Sequence, residues 1–209
     1  MLRPKLHKNG FAYPATAPLP FDGFGWTSTE PVFKDIIDEL KPKLIIEVGT
    51  WLGASARHMV KCAREHHADV ELIAVDTFLG SQEFDGWPDI VGKLLQYGRI
   101  DAYPQFLSNV IHAEMQEHIT PLPLDSMNAF HVLKKLGVKA DLVYIDGGHC
   151  YELVHRDIGC YMQLMRPGSI MLIDDWNWPG VMQAVIEIFG ELLPVKNSKF
   201  VWRFPCEES

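Results

Sequence analysis

The sequence predicts one doubly wound α/β domain, in which a mostly parallel seven-stranded sheet carries helices on both faces. Short apolar runs alternate with segments of helical periodicity along most of the chain. The first run, Leu44–Val48, is almost continuously apolar, as expected for a strand buried on both faces. The last two runs, 192–196 and 200–204, are joined by so short a turn that they must be antiparallel. One antiparallel strand in a C-terminal hairpin therefore completes the sheet.

The predicted elements follow one another with little interruption. Asp125 is placed to cap a helix start, and Gly190 is placed to end a helix. Strands are predicted at 44–48, 70–75, 119–122, 142–145, 169–173, 192–196 and 200–204. Helices are predicted at about 32–40, 54–66, 104–118, 126–136, 151–165 and 179–189.

Two segments depart from this alternation. Residues 1–27 are rich in proline, glycine and aromatic residues, which predicts an irregular N-terminal arm. Residues 77–102 carry repeated glycines and prolines, which predicts an insert or lid over the strand ends. The expected organisation is an arm at 1–27 and a single domain at 28–209.

Composition excludes several classes of protein. The chain has 209 residues, 47% hydrophobic and 22% charged, enough for one substantial core. Its net charge of −8 disfavours a nucleic-acid partner held through phosphates. No apolar run approaches a membrane span, and the N-terminus has no apolar signal-like region. Four cysteines without a C-x-x-C pair indicate reduced thiols, so we expect a soluble cytoplasmic protein with no membrane partner.

Two neighbouring strands in the C-terminal half of the chain end in acidic residues. Asp146 and His149 follow one strand, and Asp174 and Asp175 end the next. Three carboxylates at adjacent strand ends would repel one another without a cation, so the pattern favours a divalent-metal site over solvated acids. His149 is then expected to be a general base rather than a loop histidine bonded to backbone. Asp175 can join Asp174 only where the strand has ended, because neighbours on a strand face opposite ways.

The turn after the first strand has the features of a ligand cradle. Gly49 and Gly53 permit close approach to a ligand, and the following helix N-terminus attracts polar groups. The G-x-G-x-x-G fingerprint of dinucleotide binding is absent, and Glu47 would repel a pyrophosphate. Asp76 ends the second strand, where a carboxylate commonly binds ribose hydroxyls. The pattern favours a positively charged nucleoside over an ordinary strand–helix turn.

These motifs resemble a known family. Four features of the chain resemble class I S-adenosylmethionine-dependent methyltransferases. They are the stretch E-x-G-x-x-x-G-x-S from Glu47 to Ser55, the acid at Asp76, the D-G-G-H from Asp146 to His149 and the later double Asp. These enzymes have a Rossmann-like fold. The likeness is strongest to metal-dependent, macrocin-type sugar O-methyltransferases and weaker to catechol-type enzymes. It covers about residues 40–205.

The resemblance implies a role for each matching residue. Asp146, Asp174 and Asp175 would bind Mg²⁺ or Mn²⁺, and His149 would be the general base beside Asp146. The cofactor S-adenosylmethionine would be bound by Glu47, Gly49, Thr50, Trp51, Gly53, Ser55, Asp76, Asp125 and Ser126. Of these, Asp125 and Ser126 would lie near the adenine.

Together these features predict an S-adenosylmethionine-dependent, metal-assisted O-methyltransferase. The expected acceptor is a hydroxyl, such as a vicinal diol of a sugar or small natural product. One alternative is a non-catalytic nucleoside-binding protein on the same fold, because fold does not fix function. A nicotinamide-dependent oxidoreductase is opposed by Glu47 and by the missing fingerprint. The aromatic arm makes a homo-oligomer possible.

Overall fold

A seven-stranded sheet forms the centre of the molecule. The computed structural model describes residues 2–8, 10–81, 87–190 and 195–206. The strands are β1 (Leu44–Val48), β2 (Glu71–Val75), β3 (Leu95–Gln96), β4 (Arg99–Ile100), β5 (Ile119–Leu122), β6 (Ala140–Ile145), β7 (Met165–Ile173), β8 (Val195–Lys196) and β9 (Lys199–Arg203). The central sheet has the order β5-β2-β1-β6-β7-β9-β8, and β3 pairs with β4 in a separate hairpin.

Helices connect the strands and lie on both faces of the sheet. They are α1 (Arg3–Leu6), α2 (Pro31–Leu40), α3 (Ala54–Ala63), α4 (Pro88–Val91), α5 (Tyr103–His112), α6 (Ser126–Lys135), α7 (Tyr151–Tyr161) and α8 (Pro179–Phe189). Within the described residues, no helix combines the length and the apolar character needed to cross a membrane.

The predicted sheet is confirmed. The first five strands in this sheet order, β5, β2, β1, β6 and β7, are parallel to their neighbours. Strand β9 is antiparallel to both β7 and β8. The strand order reverses between β1 and β6, and in open α/β sheets ligands bind at such a point, beside the carboxyl ends of the strands. Of the strand predicted at 192–196, residues 192–194 lie outside the described residues.

Alternation along the strands divides the core between the two faces. Ile45 packs with α2, α3 and α5, whereas Ile46 packs with α6, α7 and α8. Because side chains two apart share a face, Glu47 lies on the same face as Ile45, next to the start of α3. Tyr144 and Asp146 share that face in the same way.

Several predicted boundaries are corrected by the structure. The helix expected to reach residue 66 ends at Ala63, and the helix expected to reach 118 ends at His112. The segment 77–102 holds α4 and the β3–β4 hairpin, which glycine and proline content did not signal. Its ends are joined where Ala102 N donates to Phe78 O at 2.9 Å.

The N-terminal arm covers the open edge of β5. It contains the one-turn helix α1, which its irregular composition did not predict. Tyr13 Oη donates to Ile119 O at 2.9 Å, and His7 Nε2 bonds to Pro121 O at 2.8 Å. Arg3 Nη2 also donates to Ile119 O, at 3.0 Å. Backbone carbonyls that an edge strand would expose are thereby satisfied.

Replacing the cap of α6 should destabilise the fold. Asp125 accepts hydrogen bonds from the backbone N–H groups of Met127 (3.1 Å) and Asn128 (3.0 Å). We expect Asp125→Ala to lower the free energy of unfolding by about 1 kcal/mol, because those donors lose their partner. Asp125→Ser should retain most of the stability. Urea unfolding of the two variants measures this, and equal losses would contradict the capping role.

Candidate active site

The turn after β1 is fixed by two glycines in the left-handed region. Gly49 has φ +86° and Gly53 has φ +77°. A Cβ on Gly49 would lie 2.0 Å from the carbonyl oxygen of Asp146, and one on Gly53 would lie 2.9 Å from the ring of Phe106. Both positions therefore require glycine for conformation and for space. The close approach also places the turn directly against the loop that follows β6.

Glu47 lies fully buried beneath this turn. Thr50 Oγ1 donates to Glu47 Oε2 at 2.6 Å, and Ser55 Oγ donates to the other carboxyl oxygen. Burial raises the pKa of Glu47 to about 7, although these two hydroxyl donors pull the pKa down. The carboxyl group thus orients the turn and the first residues of α3.

Asp76 faces the same turn from the end of β2. Its carboxylate accepts from Trp51 N at 2.8 Å and from Phe78 N at 2.7 Å. Burial raises its pKa, whereas the backbone donors lower it. With a third backbone hydrogen bond from Thr77, the carboxylate still keeps one of its roughly four lone-pair positions for a ligand hydroxyl.

Asp125 and Ser126 stand at the start of α6, after β5. Asp125 is exposed and its carboxylate caps the helix. Hydrogen bonds from Asn128 lower its pKa. Ser126 Oγ donates to Asp157 Oδ1 at 2.7 Å and accepts from Arg156 Nη2 at 3.1 Å. Both residues therefore have structural partners of their own.

Three residues after β6 and β7 form a compact cluster. One ligand atom from each of Asp146, His149 and Asp175 can be chosen so that all three lie within 4.8 Å of one another. His149 Nε2 lies 2.9 Å from Asp175 Oδ2. Burial, and after it the carboxylates of Asp174 and Asp175, raise the pKa of Asp146 well above its ordinary range. Asp175 has φ +53°, so the backbone has left the strand and turned its side chain toward His149.

Asp174 has a different environment from Asp175. Lys199 Nζ lies 3.0 Å from its Oδ1 and 2.9 Å from its Oδ2. Tyr144 Oη donates to Asp174 Oδ2 at 2.5 Å and lies 2.9 Å from Asp146 Oδ2. The structure thus brings Asp146 and Asp175 together with His149, and it pairs Asp174 with a buried lysine.

The N-terminal arm crosses this edge of the sheet. A Cβ on Gly25 would lie 2.5 Å from Ala54 Cβ, so the arm passes tightly over the start of α3. Two residues on, Thr27 Oγ1 donates to Asp174 Oδ2 at 3.1 Å. Between them, exposed Trp26 packs edge-on against Trp87 of the 77–102 segment, with ring centroids 5.5 Å apart.

Three further residues at this edge had no sequence signal strong enough to predict them. The sequence pattern indicates only ordinary strand positions for Lys199 and Tyr144, because their contacts depend on the register between strands. Trp178 stacks on the imidazole of His149, with ring centroids 4.5 Å apart, and is 43% exposed. Its position after the double Asp is equally typical of a pocket wall and of a core or interface aromatic.

The buried carboxyl group of Glu47 should make stability depend on pH. Its pKa is 4.5 ordinarily and about 7 in the folded state, so folding favours the protonated form. The contribution of Glu47 to the free energy of unfolding is full below about pH 4.5 and is lost as pH rises through about 7. Relative to wild type, Glu47→Gln should therefore gain about 3 kcal/mol of unfolding free energy between pH 4.5 and 8. Urea unfolding without ligand across this range measures the difference, and a pH-independent difference would contradict it.

Solved O-methyltransferase structures share this architecture. The calicheamicin methyltransferase CalS11 has a TM-score of 0.60 at 19% identity, covering 82% of this chain and 77% of CalS11. TomG from Streptomyces achromogenes, solved with S-adenosylmethionine, has a TM-score of 0.60 at 14% identity, covering 97% and 86%. The Bacillus cereus O-methyltransferase, solved with SAH, has a TM-score of 0.57 at 14% identity, covering 90% and 82%. At these identities the likeness shows the fold.

Sequence similarity extends to a viral protein and to a family model. An uncharacterized protein of Acanthamoeba polyphaga mimivirus is 31% identical over 94 residues, 43% of this chain. The match spans 42% of that relative, which is less than half its length. A family model described as a methyltransferase domain matches residues 46–176, from β1 to just beyond Asp175. The chain therefore belongs to this methyltransferase-domain family.

Proposed function

We propose that this chain is an S-adenosylmethionine-dependent, divalent-metal-assisted O-methyltransferase. The observation that carries the proposal is the contact between two half-sites at one sheet edge. The glycine turn with Glu47 and Asp76 forms one half-site, and the cluster of Asp146, His149 and Asp175 forms the other. A Cβ on Gly49 would overlap the backbone of Asp146, so no side chain separates the two.

The first half-site fits S-adenosylmethionine. The glycine turn lies at the carboxyl end of β1 and leads directly into the start of α3, where helix N–H groups can bind a polar ligand. Asp76 has carboxylate lone pairs suited to ribose hydroxyls, and Glu47 adds acidic character beneath a cationic ligand. Family membership and the TomG complex with S-adenosylmethionine support the same cofactor.

The second half-site fits a divalent cation. Two carboxylates and one imidazole converge there, and the pKa of Asp146 is raised in part by its acidic neighbours. We propose that Asp146 and Asp175 hold Mg²⁺ or Mn²⁺, which prefer oxygen ligands. A cation bound there would stabilise negative charge developing on an acceptor hydroxyl and would favour acceptors with two neighbouring oxygens.

His149 is the proposed general base. S-adenosylmethionine bound at the first half-site would supply the methyl group, with the electron pair of the broken S–C bond returning to sulfur as the new O–C bond forms. His149 would take the proton of the acceptor hydroxyl, so the products would be a methyl ether and S-adenosylhomocysteine. Asp175, 2.9 Å from His149 Nε2, and the stacked Trp178 hold the imidazole in place. Such a base is typically worth about 10²–10⁴ in rate.

The acceptor is proposed to bind on the aromatic side of this site. Trp178 presents part of its ring beside His149, and Trp26 and Trp87 form an exposed pair on the arm and the 77–102 segment. We propose that this segment acts as a lid and that the arm borders the acceptor. CalS11 is described as a TDP-rhamnose 3′-O-methyltransferase, which supports a sugar hydroxyl as the acceptor class.

Calorimetry and a turnover screen test the proposal as a whole. S-adenosylmethionine should bind the purified protein, and NADH should not. Release of S-adenosylhomocysteine should be detected with a panel of nucleotide sugars and catechols that carry vicinal hydroxyls. EDTA should abolish turnover and Mg²⁺ should restore it. Absence of cofactor binding would refute the function, and turnover that is indifferent to EDTA would refute its metal half.

His149→Ala should separate chemistry from cofactor binding. We expect kcat to fall by about 10²–10⁴ while the Kd for S-adenosylmethionine changes little, because the imidazole lies outside the glycine turn. The matched control is His155→Ala, since His155 is a half-buried histidine on α7 whose Nε2 lies 3.8 Å from Glu187. An unchanged kcat in His149→Ala would remove it as the base.

A further inference from the structure

Lys199 is a fully buried lysine beside the proposed metal site. It begins β9 and has no exposed surface. Its ammonium contacts both carboxyl oxygens of Asp174, at 2.9 and 3.0 Å, and donates to Glu30 Oε2 at 2.7 Å. Thr27 Oγ1 lies 3.2 Å away, and the ring of Phe33 lies 5.0 Å from Nζ. A lysine this buried needs charged partners, and two carboxylates supply them.

The donors around Asp174 occupy its carboxylate on all sides. Besides Lys199, Oδ1 accepts from Asp175 N at 2.7 Å and Ser198 Oγ at 3.0 Å. Oδ2 accepts from Thr27 Oγ1 at 3.1 Å and Tyr144 Oη at 2.5 Å. A carboxylate offers about four lone-pair positions, so these donors leave none for a metal ion.

Asp174 in turn is linked by hydrogen bonds to the surroundings of both proposed metal ligands. Tyr144 Oη, held by Asp174, lies 2.9 Å from Asp146 Oδ2. The bond from Asp175 N to Asp174 Oδ1 closes the turn in which Asp175 adopts φ +53°. Asp174, held by Lys199, therefore lies next to both proposed metal ligands while its own oxygens are occupied.

We propose that Lys199 is a positioning residue that keeps Asp174 out of the metal's coordination sphere. This inference rests on the proposed function. The ammonium of Lys199 pairs with Asp174, so the metal meets the two negative charges of Asp146 and Asp175 rather than three. It also ties the end of the arm, through Thr27, and the start of α2, through Glu30, to the same edge of the sheet.

Mn²⁺ binding to the full chain, measured by electron paramagnetic resonance without cofactor or acceptor, tests this role. Lys199→Met should tighten Mn²⁺ binding at least tenfold, because a repelling charge is lost and Asp174 becomes available as a third carboxylate. The same variant should lower the Tm of the metal-free protein, since it leaves buried carboxylates unpaired. The matched control is Lys196→Met, since Lys196 is an exposed lysine on β8 paired with Asp35 at 2.7 Å. It should leave Mn²⁺ affinity unchanged.

A compensated double variant covers the case in which Lys199→Met fails to fold. Lys199→Met with Asp174→Asn removes both charges together, and we expect its Mn²⁺ affinity to lie within about threefold of wild type. Asp175→Asn should weaken binding more than a hundredfold. A comparable loss in the double variant would identify Asp174 as a ligand and overturn the inference. Unchanged or weaker Mn²⁺ binding by folded Lys199→Met would also overturn it. If wild type binds no Mn²⁺, the metal half of the proposed function fails, and the inference fails with it.

Discussion

The parallel pairing of β1 with β6 is the constraint on which the candidate site depends. Val48 and Ile145 lie side by side at the ends of these strands. The backbone then anchors both turns: Gly49 N donates to Val75 O at 2.8 Å, and Asp146 N donates to Val48 O at 2.8 Å. Hydrogen bonds of the sheet therefore set the spacing between the glycine turn and the acidic loop. Transfer of a group between two bound molecules requires such fixed spacing.

Negative charge is concentrated at this edge, and each acid is accommodated differently. Glu47 is buried with two hydroxyl donors, and its pKa is raised to about 7. Asp76 is held by backbone N–H groups, and Asp174 by Lys199. Asp146 and Asp175 remain the acids that a divalent cation would neutralise in the proposed reaction. A sulfonium cofactor suits the same edge, because its positive charge would lie among acids rather than among bases.

The sequence predicted the strands and the acids at their ends because both are local features. An apolar run followed by Asp can be recognised without knowing its neighbours, and parallel strand ends must meet at one edge. The different environments of Asp174, which pairs with Lys199, and Asp175, which lies beside His149, could not be predicted in this way. They depend on a positive φ at Asp175, for which a double Asp gives no distinct signal, and on Lys199, which lies opposite through the antiparallel register of β7 with β9. Helix ends and the β3–β4 hairpin likewise depend on tertiary packing.

The N-terminal arm connects the stability of the sheet with the surroundings of the site. Its first part satisfies the edge of β5, and its next part is fastened to α5, where Leu19 N donates to Ser108 Oγ and Asp22 N donates to Asn109 Oδ1, each at 2.9 Å. From there Gly25 passes against α3, and the chain enters α2 after the residues that contact Lys199. The arm therefore runs from the edge of β5 past α5 and α3 to the edge of the sheet where the acids lie. Under the proposed function, arm side chains other than Thr27, which contacts Asp174 and Lys199, can change to suit another acceptor while the acids at the strand ends keep their positions.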